Sequence, residues 1–542
     1  MKRHTFRRAI AAAVAATALL AGCSVSTDLT SGTSATTVQT DSSSSSDTAW
    51  TTISASVMSA TTGASVADIL AANDEIADVS TDADDAGTYD ASTATTITLS
   101  DSGSTVAGTD AAGVTVDGST ITITAGGTYV LSGTLSDGEI VVTAPDAEVR
   151  IVLDGASITN ADGPAVNVTD AGELILVLAE GSTNTLADGA TYADTSEEAP
   201  TATLYSSDDL TITGTGALTV TGNSNDAISS SNGIVITGDT KITATAVDDG
   251  VRGKNYVVVE SGTLSVDAGG DGLKSSEDSD ETQGFVALGA ASVTVTAGDD
   301  GIAAVTDVTV AGTDLTITAG GGSVNATSEN SEESPKGING GVSVTVDDGT
   351  VEVDAADEGI QAAAITVNGG VVNVHSGDDG INASNGDYVI EGYENADSES
   401  DDGSVVTVAG GVVTIDNVNS DGLDSNGSAY VTGGLLIVEG TPSSPEMAVD
   451  VNGGTTTVGI TANLTVSAGD TVTVTGSDGS TRTYHATADS SSLTLVGLTE
   501  GVSYTVTAGS SSATGTAAAL ATSMGGGMGG GMGGGQLGGG RP

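Results

Sequence analysis

Asp249-Gly250-Val251, Asp271-Gly272-Leu273 and Asp300-Gly301-Ile302 are three copies of one short unit: an acid, a glycine and an aliphatic residue. Asp226-Ala227-Ile228 precedes them, and Lys336-Gly337-Ile338, Glu358-Gly359-Ile360, Asp379-Gly380-Ile381 and Asp421-Gly422-Leu423 follow. Their central residues are 23, 22, 29, 36, 22, 21 and 42 positions apart. The repeat is therefore about 22 residues, with insertions at 277–283 and 319–334 and a double step before Gly422. Between the units, runs such as Val293-Thr294-Val295-Thr296 and Val351-Glu352-Val353-Asp354 alternate apolar and polar residues. That period of two belongs to a strand with one buried face, and its β-branched residues suit a pleated surface. The Gly-Gly, Asp-Gly and Asn-Gly steps are read as turns, with glycine supplying positive φ.

Such a unit is too short for a propeller blade and lacks the helical stretch of a leucine-rich repeat. Extended at about 3.3 Å per residue it spans roughly 70 Å, enough for three short strands and three turns. This predicts an all-β parallel β-helix, a solenoid whose coils stack because none can bury its inner face alone. Inner columns of Val, Ile, Leu and Ala agree with an aromatic content of only 2%. A nonapeptide calcium β-roll is rejected, because its repeat is nine residues.

The ends read differently. Lys2, Arg3, Arg7 and Arg8 precede an apolar run to Ala21, the pattern of an export signal over 1–22 that is too short to span a bilayer. Leu20-Ala21-Gly22-Cys23 resembles a bacterial lipobox, which implies acylation of Cys23 and a lipid-anchored protein on the extracellular face of the cell membrane. Residues 23–90, rich in Ser, Thr and Asp, are expected to be a disordered linker, with a short helix over Val66 to Val79. The β-helix is expected over 91–454, final coils or a small β module over 455–515, and a disordered Gly/Met-rich tail over 516–542. With 72 acids against 12 bases, the net charge of −60 argues against nucleic acid and suits a solvated surface or metal cations. One Cys excludes an internal disulfide framework.

Stacked in register, equivalent residues lie about 4.8 Å apart. The acids before each glycine then form a column, beside a second one of Asp248, Asp299, Asp357 and Asp378. Carboxylates at that spacing repel by about 1 kcal/mol in water and roughly 3–4 near a protein surface. Bound Ca²⁺, which takes six to eight oxygen ligands, relieves such a ladder. The alternative is that each Asp only forms its own turn. Arg252 and Lys274 follow the aliphatic residue of their units, 22 apart, and should be neighbours; with Lys254 they form a small cationic spot beside Asp249 and Asp271. An anionic sugar fits there, Arg252 forking a carboxylate and Lys274 adding charge, although these bases can equally serve only to offset the acids. His4, His375 and His485 have no evident partners, and no motif for nucleophilic catalysis is present.

The chain also resembles a known family, the secreted bacterial parallel β-helix carbohydrate-binding domains that are pectate-lyase-like and bind cellulose or polygalacturonate. The resemblance lies in Gly127-Thr128-Tyr129-Val130-Leu131-Ser132-Gly133-Thr134-Leu135, Arg150-Ile151-Val152-Leu153-Asp154-Gly155 and Leu178-Ala179-Glu180-Gly181-Ser182. It continues through Tyr205-Ser206-Ser207-Asp208-Asp209-Leu210-Thr211-Ile212 into the acid–Gly–aliphatic units, covering roughly 95–515. It implies a right-handed β-helix, bound calcium and a plant cell-wall polysaccharide, including acidic galacturonan. Calcium is carried over onto Asp248, Asp249, Asp271, Asp299, Asp300, Asp378 and Asp379, while Lys336 departs from the acidic pattern.

Three functions follow as expectations: a monomeric surface lipoprotein that binds acidic polysaccharide without catalysis, a calcium-dependent polysaccharide lyase of the same architecture, or a structural or adhesive surface protein. In the lyase, β-elimination needs an acidified α-proton on the sugar and a base to remove it, and Arg252 or Lys274 beside Asp249 and Asp271 are the parts expected to serve.

Overall fold

The computed structural model describes residues 49–73, 87–196, 199–326, 334–396, 400–417, 420–440 and 447–522. The expected export signal, Cys23 and residues 523–542 of the expected tail lie outside them, whereas 516–522, expected to be disordered, are ordered, Ala518 and Ala519 pairing with Gly459 and Val458.

The chain is all-β, as the alternating runs require, but the expected right-handed parallel β-helix is corrected. Thirty-six strands are hydrogen-bonded into one sheet among the described residues. Within it, eight parallel strands close on themselves as a barrel, with many others bonded outside. The closed ring runs through Glu148–Thr159, Glu173–Leu178, Leu210–Gly214, Gly233–Ile236, Tyr256–Ala268, Lys241–Ala246, Ala217–Gly222 and Thr183–Ala187 before returning to Glu148–Thr159. Closure depends on two long strands. Glu148–Thr159 pairs with Glu173–Leu178 through its first half and with Thr183–Ala187 through its second. Tyr256–Ala268 does the same with Gly233–Ile236 and Lys241–Ala246. Each bends at an internal glycine of positive φ, Gly155 at 75° and Gly262 at 94°. A Cβ at Gly262 would lie 2.6 Å from Thr240 Oγ1, so only glycine passes the bend there. Pairing thus runs on around the corner, where separate short strands were expected.

Lateral register is nonetheless set by the repeat. Ile212, Ile236, Val259, Leu288, Val310, Val346, Val367 and Val408 are successive partners across the sheet. All are buried in one aliphatic core in which Tyr129 is the sole ring among the fully buried members. Each such side chain contributes about 1.5–3 kcal/mol on leaving water.

The glycines of the acid–Gly–aliphatic units do something other than turn. Gly250, Gly272, Gly301, Gly337, Gly359 and Gly380 are absent from the positive-φ residues. A Cβ on Gly272 would overlap Val295 Cγ1 and lie 2.5 Å from Gly301 O; one on Gly301 would overlap Ile317 Cγ2. Close packing of neighbouring strands, rather than backbone freedom, demands glycine here.

Part of the expected linker is ordered. Ser54 and Ser65 cap two helices, α1 (Ala55–Thr61) and α2 (Val66–Ala72). Thr52–Ile53 pairs in parallel with Val389–Ile390. Val66 and Leu70 bury against Tyr256 and Phe285, whose rings stack at 5.6 Å. At the other end, 455–515 resolves as an antiparallel unit. Ser490–Val496 pairs with Leu435–Glu439 and with Val458–Val466. A four-stranded antiparallel sheet covers them, Thr481–His485, Thr471–Gly476, Ser503–Ala508 and Ser511–Thr516 in that order, with a core of its own. Buried Glu439 ties this unit to the main sheet, Oε2 accepting from Thr487 N at 2.9 Å and Ala488 N at 2.8 Å.

Candidate functional site

Short parallel strands place two columns side by side, one facing outward and one of buried acids. Val251–Gly253, Leu273–Ser275 and Ile302–Ala304 pair in register, so Arg252 is the direct partner of Lys274, and Lys274 of Ala303. The same column continues through Asn339, Gln361, Asn382, Asp424 and Asp450. It is polar at every position except Ala303.

The acids before the glycines lie next to it and are almost wholly buried: Asp226, Asp249, Asp271, Asp300, Asp379 and Asp421 are each at most 8% exposed. Each spends one oxygen on the backbone of the next layer. Asp226 Oδ1 accepts from Asp249 N at 3.2 Å, Asp249 Oδ1 from Asp271 N at 3.0 Å, and Asp271 Oδ1 from Asp300 N at 3.0 Å. Asp300 Oδ1 accepts from Lys336 N at 2.7 Å and Asp379 Oδ1 from Asp421 N at 2.9 Å; Asp421 Oδ1 accepts from Met447 N. These carboxylates cap backbone in the neighbouring layer, not in their own turn.

Their second oxygens meet different fates. Lys274 Nζ lies 2.7 Å from Asp271 Oδ2 and 3.3 Å from Asp249 Oδ2. Burial works against the ammonium, but the Asp271 and Asp249 carboxylates prevail and raise its pKa. Arg252 comes no nearer than 4.0 Å to Asp249 and keeps a side chain 37% exposed. Lys254 is paired with Glu277 at 2.9 Å, away from the acid column. Lys336, standing in the acid column itself, pairs with Glu358 at 2.9 Å and Asp357 at 3.5 Å. Asp226 Oδ2, by contrast, is buried with no hydrogen-bond donor. Burial, then the Asp249 charge, pushes the Asp226 carboxyl up to about 7. Burial also raises Asp300 to about 7 and, with the Asp421 charge, Asp424 to about 7.

Three groups of acids bring one oxygen each within 4.8 Å of one another: Asp226/Asp248/Asp249, Asp271/Asp299/Asp300 and Asp421/Asp424/Asp450. A hard divalent cation is the chemical fit for such oxygens. The first group fits best, because it holds the orphaned Asp226 oxygen and an exposed Asp248 through which a hydrated ion can enter. In the second, the Lys274 ammonium already occupies Asp271 Oδ2. Of the acids expected to bind metal, Asp248 joins Asp249, and Asp271 joins Asp299 and Asp300. Asp378 and Asp379 join no such group among the described residues; burial holds Asp379 well above its ordinary pKa, and the charge of Asp424 adds to this. Sequence reasoning passed over Asp226, Asp421, Asp424 and Asp450 as ligands. Asp424 was within reach, since it follows the aliphatic residue of its unit as Arg252 and Lys274 do.

Two clefts open on this side. One, of about 360 Å³, lies by Glu139, Asn160, Asn167 and Tyr192. The other, of about 500 Å³, is lined by Asp299, Asp300, Lys336, Asn339, Gln361 and Tyr388 among others.

The model of a family described as carbohydrate-binding domain-containing proteins matches residues 117–380, a span that holds both clefts' strands and the first two acid groups. A carbohydrate-binding domain-containing protein of Acetivibrio thermocellus is 40% identical over 129 residues, 23% of this chain and 45% of that protein. The chain therefore spans under half the length of that relative. The solved structure of a polysaccharide lyase-like protein from C. thermocellum, a gadolinium derivative, is 33% identical, covering 42% of this chain and 92% of that one with a TM-score of 0.41. Over 117–380, then, this chain is similar to carbohydrate-binding domain-containing proteins.

Proposed function

We propose that the protein is a polysaccharide-binding module that uses its outward polar column as the binding face and carries calcium in its acid groups, without catalysis. The observation that supports it most is the continuous ladder from Arg252 to Asp450, one polar side chain per strand with Ala303 the exception, inside and just beyond the span similar to carbohydrate-binding domains. Strands repeat at about 4.8 Å, close to the advance of one sugar residue in an extended glycan, so a chain laid along the column meets a new side chain at each sugar. Calcium at Asp226, Asp248 and Asp249 would supply a positive centre beside the exposed Arg252 guanidinium, and together they suit a uronate carboxylate. The lipobox-like Leu20–Cys23 supports attachment to a membrane through an acylated Cys23, which would hold the binding face at the cell surface.

A glycan array with calcium and with EDTA tests this reading. Retention of polygalacturonate in calcium, lost in EDTA and without release of unsaturated product, is the expected result. Release of unsaturated product would establish the lyase, and no binding to any glycan would overturn the module.

A further inference from the structure

The cleft at Asn339 and Gln361 is chemically unlike the Arg252 end of the column. Its one ammonium, Lys336, is committed to Glu358 at 2.9 Å and Asp357 at 3.5 Å. Asp299 and Asp300 line one wall, so the cleft repels anions. Its base is formed by two amides on adjacent strands, Asn339 and Gln361, which are register partners. Each is held by one bond: Asn339 Nδ2 donates to Asp300 Oδ2 at 2.8 Å and Gln361 Nε2 to Ser384 Oγ at 2.8 Å. Fixed in this way, the amides need less ordering to bind a ligand.

Tyr388 lines the cleft as well. Tyr388 lies against Gly341, where a Cβ would come within 2.7 Å of its ring, and its hydroxyl donates to Val305 O at 3.1 Å. Trp50, the single tryptophan of the chain, packs on Tyr388 with ring centroids 4.8 Å apart. The N-terminal segment holds it there, through Trp50 N donating to Asp278 O at 2.6 Å and the pairing of Ile53 with Ile390. The result is a trough of carboxylate acceptors, fixed amides and an aromatic side, the complement of a sugar that offers hydroxyl donors and an apolar ring face.

Building on the proposed polysaccharide-binding role, we infer that the cleft lined by Asp300, Asn339, Gln361, Ser384 and Tyr388, with Trp50 of the N-terminal segment packed against Tyr388, is a second subsite that takes uncharged sugars independently of metal. One glycan can then be held at two kinds of place: charged sugars near Arg252, neutral ones three strands further along.

Trp50 provides its own reporter. The full chain in EDTA is titrated with neutral hexasaccharides (cellohexaose, xylohexaose, mannohexaose) and with hexagalacturonate, following tryptophan emission and calorimetric heat. At least one neutral probe is expected to bind and shift the emission, with no response to hexagalacturonate. Gln361→Ala and Asn339→Ala, each checked for an unchanged circular dichroism spectrum, should weaken that binding by about tenfold, the loss of one or two hydrogen bonds. Silence of the emission with every neutral probe, or wild-type affinity in both variants, overturns the inference. If neutral probes fail while polygalacturonate still binds in calcium, the subsite falls and the module stands; if no glycan binds under any condition, both fall.

Discussion

The acid column has the same backbone at Asp249–Asp271 as at Asp379–Asp421, yet the two stretches handle charge in opposite ways. In both, one carboxylate oxygen accepts the next layer's amide, at 3.0 Å in the first and 2.9 Å in the second. In the first, Lys274 sits between two acids. In the second, the residue at the place of Lys274 is Asp424, a further acid, and its pKa rises to about 7 under burial and the Asp421 charge. One stretch is neutralised by its own sequence; the other is left to bind protons or a cation. The fold therefore requires the acids for their amide caps and leaves open how their charge is balanced.

Breaking the shared part should cost most. Gly272→Ala drives a methyl group into Val295 and Gly301 O, and Gly380→Ala drives one into Ile415 and Gly422 O. Each should lose about 3 kcal/mol in urea unfolding, and unequal losses would contradict the equivalence of the two backbones. Lys274→Met comes next. It leaves Asp249 and Asp271 without their cation and should cost about 2 kcal/mol, reduced from the cost for a fully buried pair because the lysine is 33% exposed. The same measurement on Asp424→Asn should show the opposite sign, a gain of about 1 kcal/mol in EDTA.

Acidity bears on acids in and beside both stretches. Asp226, Asp300 and Asp424 have folded pKa values raised from an ordinary 3.8 to about 7. The folded state therefore holds these protons more tightly than the unfolded one, and the stability they contribute is complete below the ordinary value and lost as pH rises through about 7. Melting in EDTA should fall across that window, and calcium should restore it mainly at the upper end; a flat profile would refute the assignment. Arg252→Ala stands last. With its nearest acid at 4.0 Å it should change stability by under about 0.5 kcal/mol, while weakening retention by polygalacturonate in calcium.

Sequence made the register legible, because a repeat of about 22 residues makes Arg252 and Lys274 neighbours, and they are partners. It did not show sheet closure. Alternation on either side of Gly155 or Gly262 looks like two strands with a turn, and whether hydrogen bonding continues around the bend depends on φ at one residue. Nor did it reveal why the repeat keeps glycine, since the obstructing methyl groups, such as Val295 Cγ1, arrive from the next layer. Composition hid the N-terminal segment: Ser and Thr dominate, but Trp50, Ile53, Met58, Val66, Ile69 and Leu70 are enough to bind it to the sheet. For two of the acid groups a pair was visible as adjacent letters, Asp248/Asp249 and Asp299/Asp300, and the third member, Asp226 or Asp271, came from another strand; the group of Asp421, Asp424 and Asp450 has no adjacent pair.

The amide caps of Asp226, Asp249, Asp271, Asp300, Asp379 and Asp421 all point the same way: each accepts from a donor 22 to 42 residues downstream, Asp226 from Asp249 and Asp249 from Asp271. A chain cut short after any of these acids therefore leaves a carboxylate oxygen without the amide that caps it. The series ends where Met447 supplies the last of these donors, ahead of the antiparallel unit that pairs with Leu435–Glu439.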